Sequence, residues 1–341
     1  MLMQRKHLIP LERLNVAQAA SLLWLIGSLA ASGATEEKLN QRFAVHPGGK
    51  LLVEVDFGSI DITTNATSEV VIDVWRKVTR KKKTEEEAFL RENPVTFSQD
   101  GSTVMVRSHH DAKPGWSWFG SGRSQNEAKY QISVPARFNT ELRTGGGGIT
   151  VTDLTGEMKS RTGGGGLTLA RLHGPADGET GGGGIRATDC DGAARLSTGG
   201  GGIEVSGGSG SLNAKTGGGS LSVRKFNGPI DIKSGGGSLA VENVTGKIDG
   251  STGGGSISLV LPSELAEEVK LSTGGGGISV NAPGTIAFTL DAKTSGGRVS
   301  TDVPVSVVGK LEHGHLEGPV NGGGKSLVLR SGGGNIQLKK L

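Results

Sequence analysis

Asp231 and Asp249 stand eighteen residues apart in a chain that repeats at that interval, so a structure built on the repeat sets the two carboxylates side by side. Paired carboxylates can share a proton or bind a divalent cation, the chemistry that a polysaccharide lyase or hydrolase on a parallel β-helix would need. The same column also holds Lys159, Asp177, Arg195 and Asn213, and Lys215 and Lys233 fall two residues further along their own repeats. Such mixed charge is the composition of an ordinary solvated face, on which single ion pairs are weak. We therefore expect neither catalysis nor a metal there, and Asp231 and Asp249 are the residues that an enzymatic alternative would have to use.

The other reactive residue types are sparse. Cys190 is the single cysteine, which excludes an intramolecular disulfide framework and any cysteine zinc site. It shares its column with Leu154, Leu172, Phe226 and Val244, so a small core residue is the better expectation than a nucleophile. His109, His110 and Asp111 form one short cluster and His313 with His315 another, without identifiable further ligands. The calcium-binding nonapeptide solenoids carry Asp inside each Gly-rich turn. The tracts here lack it, and no metal or cofactor is expected. In the loop 108–124, Trp116, Trp118 and Phe119 sit beside Lys113 and Arg123. Trp116, Trp118, Phe119 and Arg123 are candidate binding residues for a glycan face, a membrane interface or a protein partner, and the same rings could instead fold back to cover the end of the repeat.

The elements that position these residues follow from glycine. The chain has 341 residues and 60 Gly, and eleven Gly tracts hold 37 of them. Glycine is therefore phased, which separates this composition from disorder and from the every-third-residue pattern of collagen. Thr144, Thr162, Thr180, Thr198, Thr216, Ser234 and Thr252 recur every eighteen residues, and Thr273 and Thr294 follow at intervals of twenty-one. Each opens a tract, whose first glycines Gly145, Gly163, Gly181, Gly199, Gly217, Gly235, Gly253 and Gly274 are expected structural corners. After each tract come alternating apolar residues, such as Ile149 and Val151 or Leu221 and Val223, the mark of a strand with one buried face. A second Gly column at Gly156, Gly174, Gly192, Gly210, Gly228 and Gly246 marks a second corner, and a second alternating segment closes the row.

Eighteen residues cannot bury two strand faces alone, so the coils must stack in parallel. The expected fold is an all-β parallel β-solenoid of about ten coils of 18–21 residues, right-handed, and roughly 50 Å long at the spacing between strands. Stacked Gly tracts are expected to need positive φ and to leave no room for a Cβ, and the Thr and Ser columns to stack as a hydroxyl ladder.

Residues 35–140 are less regular and are expected to form a β-rich cap. LLVEVDFGSIDIT at 51–63 resembles one early coil, 70–78 reads as a strand, and RKKKTEEEAFLRE as a short helix or a solvated loop. The uniform repeat occupies 141–341. Residues 1–34 read as a signal peptide or N-terminal anchor: Arg5, Lys6 and Arg13 precede the apolar run 16–31, and small residues Ser32, Gly33 and Ala34 follow. The chain is thus expected to be exported, to the periplasm, the cell surface or the medium, with no membrane span beyond that segment. A net charge of +4, from 37 basic and 33 acidic residues, gives no case for nucleic acid.

The opening GSIDI, the strand KYQISVP, the serial TGGGGI coils and the closing TSGGRVSTDVPV and NGGGKSLVLRSGGGNIQL together resemble the bacterial putative-adhesin family of unknown function, over residues 45–341. The chain is also similar to head domains described as auto-transporter adhesins. The resemblance implies a secreted or surface β-solenoid with no catalytic residues to carry over. The expected role is a non-enzymatic scaffold and binding protein for a cell-surface glycan or protein.

Overall fold

The computed structural model describes residues 34–108, 125–306 and 313–341. Only Ala34 of the expected export segment falls within them, and Trp116, Trp118, Phe119, Arg123, His109, His110 and Asp111 lie outside them. No helix among the described residues is long and apolar enough to cross a membrane.

Among the described residues the period-two segments form two sheets of fourteen strands each, facing one another along the repeat. In the first sheet Ile149 pairs in parallel with Leu167, then Ile185, Ile203, Leu221, Leu239 and Ile257 in turn, always one repeat on. In the second, Thr140, Met158, Ala176, Ala194, Leu212, Ile230 and Ile248 form the matching column. The inward residues of both sheets make one continuous apolar core. This is a solenoid-like, parallel-dominated all-β fold, and every in-register step keeps the same side chains inside.

The two corners divide the labour differently from the expectation. None of the tract-opening glycines, Gly145 to Gly274, lies in the left-handed region. They are confined by close approach instead: a Cβ on Gly163 would lie 2.3 Å from the carbonyl oxygen of Gly145, and one on Gly181 the same distance from that of Gly163. Positive φ belongs to the second corner, at Gly156, Gly174, Gly192, Gly210 and Gly228. It is preceded there by a left-handed column that contains side chains, Asp153, Arg171, Asp189, Lys225 and Asn243. Asn and Asp tolerate that conformation better than most residues, and Arg171 is tied to Asp153 by a two-pronged ion pair at 2.5 and 2.9 Å.

The Thr and Ser column does not bond hydroxyl to hydroxyl. Each buried hydroxyl bridges two repeats through the backbone: Thr180 Oγ1 donates to the carbonyl of Gly165 at 2.7 Å and accepts the N–H of Gly183 at 3.2 Å. The pattern recurs at Thr162, Thr198, Thr216, Ser234, Thr252, Thr273, Thr294 and Ser331. Thr180→Val keeps the volume and orphans both glycine groups, so urea unfolding should show a loss of about 1–3 kcal/mol. Thr180→Ser keeps the bridge and loses only a methyl, worth about 1 kcal/mol. A serine variant less stable than the valine one would refute the bridging role.

Stacking order departs from chain order at both ends. Lys50–Val55 and Ser59–Asn65 do form a coil, but it lies between the coil of Thr103–Ser108 with Gln125–Pro135 and that of Asn139–Thr144 with Ile149–Thr152. At the other end, the row opened by Thr294 does not follow that of Thr273. Ser326–Ser331 and Ile336–Lys340 lie between Val269–Thr273 with Ile278–Ala282 and Phe288–Thr294 with Val299–Thr301. His315–Val320 pairs antiparallel with the outer edge of Phe288–Thr294. The returning strand is therefore left with its inner edge. Antiparallel strands, Thr35–Ala44, Thr96–Asp100 and His315–Val320, occupy three of the four sheet edges, and the fourth is the three-residue strand Val299–Thr301. Short or charged edges of this kind resist pairing with another chain. The charged stretch after residue 79 becomes the helix Lys83–Glu92, held by buried Glu86, which accepts bonds from Thr35 Oγ1 and the N–H of Arg80.

Candidate functional site

A groove of about 590 Å³ crosses the outward face of the second sheet, over six consecutive repeats. Its floor is low because two strands differ from their neighbours. Asp191–Thr198 and Ser209–Thr216 are eight residues long where the flanking strands have five, because their pairing continues through Gly192 and Gly210. Only Ala193 and Ser211 project there, while Pro175 and Pro229 rise in the same column on either side. Small side chains flanked by proline rings thus make a shallow apolar trough.

Polar groups line it. Asp231 and Asp249 are register partners, as the eighteen-residue interval requires. Asp231 is not a free acid: its Oδ2 accepts bonds from Asn213 Nδ2 at 3.3 Å and Lys233 Nζ at 3.2 Å. Lys233 also lies 3.1 Å from Oδ1, yet off the hydrogen-bonding direction, so that sheltered oxygen has a charge partner but no directed donor. Asp249 instead lies beside Lys270 in the next strand. The two carboxylates thus differ: Asp231 is held by its neighbours, while Asp249 takes part in no ion pair among the described residues.

Neighbouring columns are knitted into ladders. Arg161 pairs with Glu179 and Lys247 and Lys270 with Glu268. On the first sheet Arg186, Glu204, Arg224 and Glu242 alternate in one run, and the first three of them line a second groove there. By contrast, among the described residues Asp177, Arg195 and Asp249 take part in no ion pair, and all three line the groove on the second sheet. Their hydrogen-bonding capacity is turned to solvent.

The remaining candidates are placed plainly. Cys190 is buried, and burial pushes its thiol up from the usual range, against a role as a nucleophile at neutral pH. His313 and His315 are not equivalent: His315 lies on the edge strand His315–Val320, near Asp291 and Glu317. The groove floor was not singled out from the sequence. Its signal was available in the column Glu157, Pro175, Ala193, Ser211, Pro229 and Lys247, where the two small residues stand between two prolines.

The family model described as Toastrack DUF4097 matches residues 52–339. No curated protein matches. Among solved structures the chain is similar to a putative cell adhesion protein from Clostridium sporogenes, at 12% identity over 89% of this chain and 100% of that one, with a TM-score of 0.21. It is similar to a putative adhesin from Bacteroides fragilis at 10% identity, over 89% of this chain and 97% of that one, with a TM-score of 0.29. A putative lipid binding protein from Parabacteroides distasonis is 8% identical over 89% of this chain and 96% of its own, with a TM-score of 0.24. These likenesses are too distant to carry a role across.

Proposed function

The chain belongs to the Toastrack DUF4097 family, and from that premise we propose that it is an exported, non-enzymatic scaffold that binds an extended, hydroxyl-rich ligand, a cell-surface glycan, in the groove of its second sheet. The observation that carries this reading is the set of unpaired charges, Asp177, Arg195 and Asp249, around a trough floored by Ala193 and Ser211. Carboxylate, guanidinium and amide groups bond sugar hydroxyls, and proline rings offer apolar faces to sugar C–H groups. A groove that runs across stacked repeats suits a polymer more than a compact metabolite, whose sites are enclosed. Export is supported by the basic and then apolar segment in residues 1–34. A right-handed stack of 18–21-residue coils is part of the same reading.

Filling the trough is the direct test. Ala193→Trp and Ser211→Trp add bulk on the exposed face without touching the core. On a glycan array the wild-type chain should bind extended glycans, and either variant should lose at least about tenfold in affinity, equivalent to 1.4 kcal/mol, with its melting temperature unchanged. Equal binding by variant and wild type would remove the groove from the account. Cleavage of any polymer in a polysaccharide panel, lost in Asp231→Ala, would establish the enzymatic alternative instead.

A further inference from the structure

We propose that Asp291, His315 and Glu317 form a binding site for a divalent transition-metal ion of the zinc class, which pins the edge strand at the C-terminal end of the rod. His315 and Glu317 are two residues apart on the strand His315–Val320 and so project to one face, and Glu317 is the register partner of Asp291 on the adjacent antiparallel strand. One ligand atom from each lies within 4.8 Å of the others.

The distances fit a metal site. His315 Nε2 is 3.5 Å from Asp291 Oδ1 and 3.7 Å from Glu317 Oε2. Both are longer than the 2.7–3.2 Å or so of an N–H···O bond. Both are close to the edge of a tetrahedron of ligands, about 3.4 Å for metal-to-ligand bonds of 2.0–2.1 Å. Imidazole nitrogen and carboxylate oxygen are both donor types that zinc accepts, and three protein ligands leave a fourth position open.

The surroundings prepare the ligands. Arg330 grips Asp291 with both terminal nitrogens, at 2.9 Å from Oδ1 through Nη1 and through Nη2 on Oδ2, and Nη1 also bonds the Asp291 carbonyl at 2.8 Å. That fork fixes the carboxylate plane and leaves the second lone pair of Oδ1 for an ion, the usual arrangement around metal-binding carboxylates. Two carboxylates face the Arg330 guanidinium, and Lys293 is the register partner of His315, so the fixed charges balance before an ion enters. About a third of the His315 and Asp291 side chains is exposed, so the ion has an entry path.

Titrating the full chain with zinc chloride by calorimetry at neutral pH should show one ion bound per chain, and cobalt(II) in its place should give the visible bands of a tetrahedral nitrogen and oxygen site. His315→Ala should weaken binding by more than about 100-fold, beyond the loss typical of an outer-shell residue. Glu317→Gln should also weaken it, and His173→Ala should leave it unchanged. Circular dichroism checks that each variant is folded. No stoichiometric binding by the wild type would overturn the proposal and leave His315 as an ion-pair partner of the two carboxylates. Unchanged binding in His315→Ala would overturn it equally by placing the ion elsewhere.

Discussion

Gly165→Ala is expected to cost about 3–5 kcal/mol or to abolish cooperative folding, while Gly164→Ala, one residue earlier, changes stability by no more than about 0.5 kcal/mol. Both residues lie in the same tract, so neither composition nor position in the turn separates them. Geometry does. A Cβ on Gly165 would stand 2.1 Å from the carbonyl oxygen of Gly147 and 2.3 Å from its carbon, whereas one on Gly164 meets nothing within 4 Å. The opposing atoms at Gly165 are backbone atoms of the adjacent repeat, and that carbonyl also accepts the Thr162 hydroxyl. It cannot retreat without opening the ladder on which the next repeats stack. The fourth tract position shows the permissive case within the chain itself, with Ser220, Ser238 and Ser256 standing where other tracts have Gly166 and Gly184. Urea unfolding of the two alanine variants is the measurement, and equal midpoints would rule out close backbone approach as the reason for glycine.

The second large effect belongs to the end of the rod. Arg76 is 0% exposed, yet carries a charge, and Glu37 accepts its Nε at 2.7 Å while its Nη2 also contacts that carboxylate. Its Nη1 donates to the carbonyl of Asn93 at 2.6 Å, so one guanidinium ties the strand Thr35–Ala44 and the segment after the helix to the strand Glu69–Thr79. Arg76→Ala leaves Glu37 largely buried without its guanidinium partner and takes one donor from the Asn93 carbonyl. Removing one member of a buried pair costs about 3–5 kcal/mol. Thermal unfolding should record that loss, and hydrogen exchange should localise it to residues 35–100. A double variant with Glu37→Leu should recover part of it, since the stranded charge is then gone. No recovery would mean that lost packing dominates over charge.

The repeat was legible in the sequence because each column has one job in every coil. Inward positions are apolar, corners are glycine, and the Thr or Ser before each tract has a bonding role that either hydroxyl can fill. The places where the reading failed have physical causes. Glycine marks both close approach and positive φ, so residue type alone could not show that Gly163 meets the first demand alone and Gly156 both. Arg171 and Lys225 hold left-handed conformations that their residue types do not advertise. The interleaving of end coils was hidden because Thr273 accepts Thr294 or Ser331 as neighbours on equal chemical terms; the antiparallel strand His315–Val320 decides between them. In the candidate site the adjacency of Asp231 and Asp249 follows directly from the interval. The groove depends on what Ala193 and Ser211 lack, and an absence of side chains is read only when a whole column is compared.

The interleaved ends also bear on how the rod meets mechanical load. A strand at the margin of a sheet can be peeled away one bond at a time by tension on its free end. Ile336–Lys340 is instead bonded on one side to Ile278–Ala282 and on the other to Val299–Thr301. Tension at Leu341 along the strand must slide it between two neighbours, loading both sets of backbone bonds together. A pull along Ile336–Lys340 is therefore resisted on both sides at once, and rupture should begin elsewhere in the rod.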